Sequence, residues 1–255
     1  MTKIISTHSF RGGTGKSNVT ANIAATLANM GYRVGVFDTD IQSPGIHIIF
    51  NLADGAIKYT LNDFLWGNCS IEEAAYPVYE APGGGAVFLV PSSIDPNDIA
   101  RILREKYDAS DMHSAFRDLI PALSLDYLLI DTHPGLNEET LLSIAISDSL
   151  VIILRPDQQD FQGTSVTVDV ARRLRVPEIK LVVNKVPPEY DSADIRRKVE
   201  DAYQCEVSAL LPLSFDVAHN ASSSIYCLSF PEAAFSTGIH HIATDLQAAS
   251  ETVPA

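Results

Sequence analysis

Paired cysteines are missing from this sequence. Its three cysteines, Cys69, Cys205 and Cys227, are widely spaced and odd in number, so neither a disulfide framework nor a C-x-x-C metal or iron-sulfur motif is written, and a reducing compartment is expected. Basic residues are scarce too: 18 Lys and Arg stand against 32 Asp and Glu, a formal net charge of -14. Nucleic acid and anionic lipid both bind through cations, so either partner would need a local basic patch. Residues 199–255 contain no lysine or arginine, and residues 247–255 offer neither an apolar face nor a cation to a bilayer surface. Arg172-Arg173-Arg175 and Arg196-Arg197-Lys198 do cluster on predicted helices, as solvated faces commonly do, amid an excess of acid. No stretch approaches the roughly 20 consecutive apolar residues of a membrane-spanning helix, and residues 1–8 lack the layout of a signal peptide. A cytoplasmic protein is expected, with direct binding to membranes and nonspecific binding to DNA both disfavoured and protein partners the better guess.

What is present is apolar and regularly patterned. With 255 residues, 46% of them hydrophobic, the chain can bury a sizeable core. Short β-branched runs at 4–7, 34–37, 87–90, 127–130, 150–154, 179–183 and, more weakly, 207–211 read as strands. Helical patterns fall between them at 17–30, 97–107, 112–122, 138–146, 164–174, 193–203 and 233–249. Continuous apolar strands alternating with helices imply an α/β fold, a doubly wound, mostly parallel sheet with helices on both faces, in one domain over residues 1–255. The segment 52–82 reads as an insertion or as short helices flanking the sheet, and Gly83-Gly84-Gly85 as a turn.

Chemistry concentrates after the first strand, in Phe10-Arg11-Gly12-Gly13-Thr14-Gly15-Lys16-Ser17. Glycines allow backbone N–H groups to curl around a phosphate, the following helix adds its dipole, a lysine reaches the terminal phosphates and a hydroxyl binds magnesium. The general pattern G-x-x-x-x-G-K-[ST] fails because Phe10 occupies its first glycine. The variant K-G-G-x-G-K-[ST] fits, with Arg11 in place of its first lysine. A plain glycine turn between strand and helix is the alternative. Two more strands end in acids: Phe37-Asp38-Thr39-Asp40 and Leu128-Leu129-Ile130-Asp131, where open α/β sheets bind ligands.

The loop and these strand ends resemble the deviant Walker A motif and switch segments of the ParA/MinD family of P-loop ATPases, and the similarity runs over most of the chain. The resemblance implies ATP or ADP with Mg2+ as cofactors. The nucleotide would be cradled by Gly12, Gly13, Thr14, Gly15, Lys16, Ser17 and Asn18, with Ser17 and Asp131 on the magnesium side. Asp40 would orient the attacking water, and Asp38 would be a supporting acidic group beside the metal, or merely cap its loop. Within Thr132-His133-Pro134-Gly135, Gly135 matches the glycine whose N–H senses the γ-phosphate, while His133 departs from the proline common there and is kept out of the catalytic set. Asn184 matches the adenine-reading position and Pro212 the loop on the other side of the base, an ordinary turn being the alternative for Pro212. Arg11 stands where the family's lysine reaches the partner subunit's nucleotide. It is expected to act there with Lys16 and Asp40, or else to be a surface charge. The implied function is a partner-stimulated ATPase switch, homodimeric when ATP-bound, in intracellular positioning. A small-molecule kinase or ligase, an iron-sulfur carrier and a non-hydrolysing scaffold are the other readings, the carrier disfavoured by the unpaired cysteines.

Overall fold

The computed structural model describes residues 1–105 and 109–248. The chain begins β1 (Lys3–His8), α1 (Lys16–Asn29), β2 (Arg33–Asp38), then short helices α2 (Ile46–Ile49) and α3 (Leu61–Leu65), β3 (Tyr76–Glu80) and β4 (Ala86–Val90). It continues through α4 (Pro96–Arg104), α5 (Ala109–Ala122), β5 (Tyr127–Asp131), α6 (Glu138–Ala145), β6 (Ser149–Leu154) and α7 (Gln158–Arg173). The last part is β7 (Glu178–Val186), α8 (Ser192–Tyr203), β8 (Glu206–Pro212), α9 (Phe215–His219), α10 (Tyr226–Ser229) and α11 (Ala234–Ala248).

Among the described residues, eight strands form one sheet in the order β3-β4-β2-β5-β1-β6-β7-β8. All neighbours are parallel except β3 against β4. The central strands β5 and β6 are buried along their whole length, which is why they read as unbroken apolar runs rather than as an alternation. On one face α1 packs beside α11. The fully buried Ala21, Ala24, Ala25 and Ala28 of α1 share a core with Ile239, Ile242 and Leu246 of α11, and small side chains allow that close approach. On the other face, Met112, Phe116 and Leu119 of α5 belong to one apolar cluster, and Val168 of α7 with Ile195 and Val199 of α8 to another.

The seven expected strands are all found, and the eighth, β3, lay inside the unassigned segment 52–82. Tyr76-Pro77-Val78-Tyr79-Glu80 is a half-exposed edge strand, short, polar-tipped and interrupted by a proline that only an edge tolerates. The same segment supplies α3, closed by a capping box between Thr60 and Asp63. The helix expected over 164–174 begins earlier, at Gln158, because the Asp157 side chain accepts from the N–H groups of Gln159 and Asp160. Two predicted helix ends, at 107 and 249, fall outside the described residues.

Candidate functional site

Strand register brings the acids together. β5 lies between β1 and β2, and its last residue, Asp131, is paired with Thr7 on one side and Asp38 on the other. Asp38 is fully buried, and burial together with the adjacent Asp131 charge pushes its pKa up to about 8 against the opposing pull of Lys16. Its carboxylate accepts the N–H groups of Asp40 at 3.1 Å and Gly45 at 3.2 Å. Asp38 thus fixes the loop after β2 while standing beside Asp131.

The loop between β1 and α1 turns through positive φ at Gly13 and Gly15. A Cβ on Gly15 would lie 2.5 Å from Asn184 Nδ2, so only glycine fits there. Gly15 is also the residue that precedes α1, and it offers no side-chain cap. By contrast α3, α4, α6, α7, α8 and α9 are each capped by a Thr, Asp, Asn or Ser side chain. The first N–H groups of α1 are therefore left for an external acceptor, and the helix dipole favours an anion. Phe10, which breaks the general P-loop pattern, packs against α7 at Gly163, where an added Cβ would meet its ring at 2.1 Å.

Lys16 is buried and its Nζ donates to Asp131 Oδ1 at 2.8 Å, with Asp40 Oδ2 4.0 Å away. Thr20, one helical turn after Lys16, donates to the same Asp131 oxygen at 3.1 Å and shares a 2.6 Å hydrogen bond with Thr7. Asp131 Oδ2 is buried with no hydrogen-bond partner among the described residues, and so is Thr14 Oγ1. Leaving such atoms unsatisfied costs about 1–3 kcal/mol each. A hydrated divalent cation beside Asp131 and a phosphate oxygen beside Thr14 would satisfy both, and Ser17, half-buried in the first turn of α1, adds a hydroxyl. The donor set fits a magnesium nucleotide.

The histidines complete this end of the sheet. His133 Nδ1 lies 2.6 Å from Asp40 Oδ1. His8, wholly buried, hydrogen-bonds through Nδ1 to Thr132 Oγ1 at 2.8 Å, while its Nε2 has no partner among the described residues. Burial first, then the charges of Lys16 and His133, hold His8 down to a pKa of about 3.

Gly15, Asn18, Asn184 and Pro212 line one cleft of about 300 Å³. Asn184 Nδ2 donates to Thr14 O at 2.8 Å and its Oδ1 accepts the Lys185 N–H at 2.8 Å, so both atoms of the amide are engaged within the protein. Lys185 Nζ donates to Gly13 O at 2.8 Å, and the Gly135 N–H donates to Ser9 O at 3.2 Å. Arg11 pairs with acids other than those that meet Lys16: its guanidinium lies 3.5 Å from Asp160 and 4.0 Å from Asp157, at the start of α7, and its side chain is 41% exposed. Burial would raise the Asp160 pKa, but hydrogen bonds from Arg155 and the charges of Arg155 and Arg11 bring it below the usual carboxylate range. A larger cleft of about 580 Å³, between α5 and α6, contains none of the motif residues.

The family model ParA, described as NUBPL iron-transfer P-loop NTPase, matches residues 1–246. The chain belongs to the ParA/MinD family of P-loop ATPases. It is 28% identical to an uncharacterised ATP-binding protein of Methanocaldococcus jannaschii, over 92% of this chain and 84% of that one. An iron-sulfur cluster carrier protein of Methanococcus maripaludis is 34% identical over 73% of this chain and 62% of its own. Among solved structures, the septum site-determining protein MinD complexed with Mg-ADP from Pyrococcus horikoshii superimposes with a TM-score of 0.83 at 22% identity, covering 98% of both chains. That likeness is one of fold.

Two side chains and two contacts of this ParA/MinD-family site escaped the sequence reading. Thr20 had a signal, since it follows Lys16 by four residues and so shares its helix face. Asp160, the partner of Arg11, carried the pattern of an acidic first helical turn after a capping Asp157. The bond from Lys185 to the Gly13 carbonyl and the link from His133 to Asp40 had none, because both depend on loops meeting across the sheet edge.

Proposed function

We propose that this chain is an ATP-hydrolysing switch whose ATP-bound homodimer and ADP-bound monomer present different surfaces to a protein partner. One observation carries the nucleotide part. The buried Lys16 and Asp131 meet at the mouth of an uncapped helix, with one Asp131 oxygen left unsatisfied. In this reading Lys16 and the loop amides from Gly12 to Asn18 hold the β- and γ-phosphates. Ser17 and Asp131, with Asp38 behind it, hold the magnesium side. Asn184 and Pro212 flank the base, and Gly135 reports the γ-phosphate once its N–H leaves Ser9. The bound magnesium ion supplies charge that offsets the phosphates. Asp40 accepts a hydrogen bond from the attacking water and orients it in line. Turnover is slow until a partner completes the site.

Protein partners are favoured over DNA and lipid by where the cations are. Arg197 and Lys198 are both paired with Asp194, and Arg196 with Glu200. Arg172 is hydrogen-bonded to the carbonyls of Tyr203 and Gln204. Among the described residues no helix is long and apolar enough to cross a membrane. A cluster-carrier reading finds little support in the thiols. Cys69 precedes β3, Cys205 lies between α8 and β8, and Cys227 is on α10; burial raises the pKa of each, to about 11 for Cys69 and Cys227, against the thiolate that a cluster needs.

The deciding experiment compares the protein with its Asp40→Ala variant by calorimetry with ATP and magnesium and by phosphate release. The expected outcome is retained binding with a hydrolysis rate reduced at least about 100-fold, in the range of a lost catalytic base. Unchanged hydrolysis removes Asp40 from the mechanism. Binding without turnover in both proteins, even with candidate partners, favours the scaffold reading, which the substitutions at Arg11 and His133 motivate.

A further inference from the structure

We propose that His133 is a positioning residue for hydrolysis, whose ring holds the Asp40 carboxylate in the orientation that receives water. The proposal rests on the hydrolytic role given above to Asp40. His133 Nδ1 is 2.6 Å from Asp40 Oδ1. A carboxylate oxygen only accepts, so Nδ1 is the protonated nitrogen of this pair. The other Asp40 oxygen, Oδ2, lies 4.0 Å from Lys16 Nζ. The two oxygens of Asp40 thus face two different donors, and the ring holds the one that the lysine does not approach.

That restraint matters because the two demands on Asp40 conflict. A free carboxylate beside a buried ammonium gains by closing to a direct ion pair, since charge-assisted hydrogen bonds are roughly twice as strong as neutral ones. In such a pair Asp40 would be drawn toward the phosphate-binding lysine and its oxygens would be unavailable to water. A hydrogen bond from His133 offsets that pull and fixes the plane of the carboxylate.

The ring is itself placed from outside the loop. The His133 carbonyl accepts from Thr140 Oγ1 at 3.2 Å, in the first turn of α6, which Asn137 caps. The His133 side chain is 24% exposed and that of Asp40 10%, so both are confined. A proline at position 133 has no side-chain donor and could not hold Asp40 in this way. His133 donates one hydrogen bond here and transfers no proton.

The test uses His133→Ala, His133→Asn and His133→Gln, with Asp40→Ala alongside. Steady-state hydrolysis is measured together with the affinity for magnesium and the non-hydrolysable analogue AMPPNP. The Ala variant is expected to lose about 10- to 100-fold in kcat, the scale of a misplaced reacting group, with KM and AMPPNP affinity unchanged. The Asn amide nitrogen occupies the place of Nδ1 and recovers most of the rate, whereas the Gln nitrogen, one bond further out, does not. In the nucleotide-free protein, the Nδ1 resonance of His133 in nitrogen NMR moves on Asp40→Ala. An unchanged kcat in His133→Ala, Asn no better than Gln, or an Nδ1 resonance indifferent to Asp40→Ala overturns the proposal. If Asp40→Ala is slow and His133→Ala is not, His133 alone is ruled out; if Asp40→Ala hydrolyses normally, the role of Asp40 fails with it.

Discussion

The Lys16 ammonium donates to Asp131 at 2.8 Å with both side chains buried, so the P-loop lysine and the acid at the end of β5 neutralise each other before any nucleotide arrives. Lys16→Ala removes that cation and leaves Asp131 next to Asp38 without compensation. Breaking a buried pair from one side costs about 3–5 kcal/mol. The variant is therefore expected to bind no ATP in calorimetry and to unfold at lower urea concentration. Wild-type nucleotide affinity would contradict the P-loop assignment.

His8 makes the stability depend on pH in a defined window. Folded, it stays neutral, with its pKa lowered from 6.5 to about 3 by burial, Lys16 and His133. Unfolded, it takes a proton below its ordinary value. The stability it allows is complete above pH 6.5 and is lost as pH falls from 6.5 toward about 3, at about 1.4 kcal/mol per unit. His8→Asn keeps an amide opposite Thr132 but removes the titration. Urea unfolding between pH 7 and about pH 4 should show a shallower acid limb in the variant; equal slopes would mean that His8 is not the group responsible.

The ion pairs of α8 bear on surfaces as well. Because Arg197 and Lys198 are both paired with Asp194 and the chain carries a net charge of -14, the protein is expected neither to pellet with anionic liposomes nor to shift DNA at physiological salt. ATP-dependent binding to either one would show that the clusters around Arg172 and Arg196 outweigh the global repulsion.

Fold and site were legible to different depths. Buried strands announce themselves, because a strand covered on both faces carries a continuous apolar run, as β5 does over 127–130 and β6 over 150–154. The edge strand β3 did not, since Pro77 interrupts it and Val78 and Tyr79 pack against the core only while partly exposed. The P-loop was legible because one short segment supplies glycines, lysine and hydroxyl together. Contacts made between segments were hidden: Asp40 with His133, Arg11 with Asp160, and Asn184 with the Thr14 carbonyl each join residues far apart in sequence through strand order. Asp38 was legible as an acid at a strand end, but its burial and its grip on the Gly45 N–H follow only from the loop's path.

Arg11 gives the sharpest prediction, because the structure shows where it rests. Its guanidinium lies 3.5 Å from Asp160 and 4.0 Å from Asp157, at the start of α7. The pair with Asp157 is exposed on both sides, 41% and 42%, and exposed ion pairs contribute about 0–1 kcal/mol. Two nucleotides facing each other across a two-fold axis bring several phosphate charges close together, and a cation from each subunit would offset their repulsion. Arginine suits that place through its planar fork, which binds phosphate oxygens in pairs. Leaving Asp160 costs it little, since Arg155 remains hydrogen-bonded to the same carboxylate at 2.9 Å. Arg11→Ala is therefore expected to keep monomer affinity for ATP while losing dimerisation and most hydrolysis, and Arg11→Lys to restore part of both. Light scattering with ATP and magnesium in an Asp40→Ala background reads dimerisation without turnover. If Arg11→Ala dimerises there as well as its parent, Arg11 is a surface charge held by α7 and the nucleotide of the other subunit is met by something else.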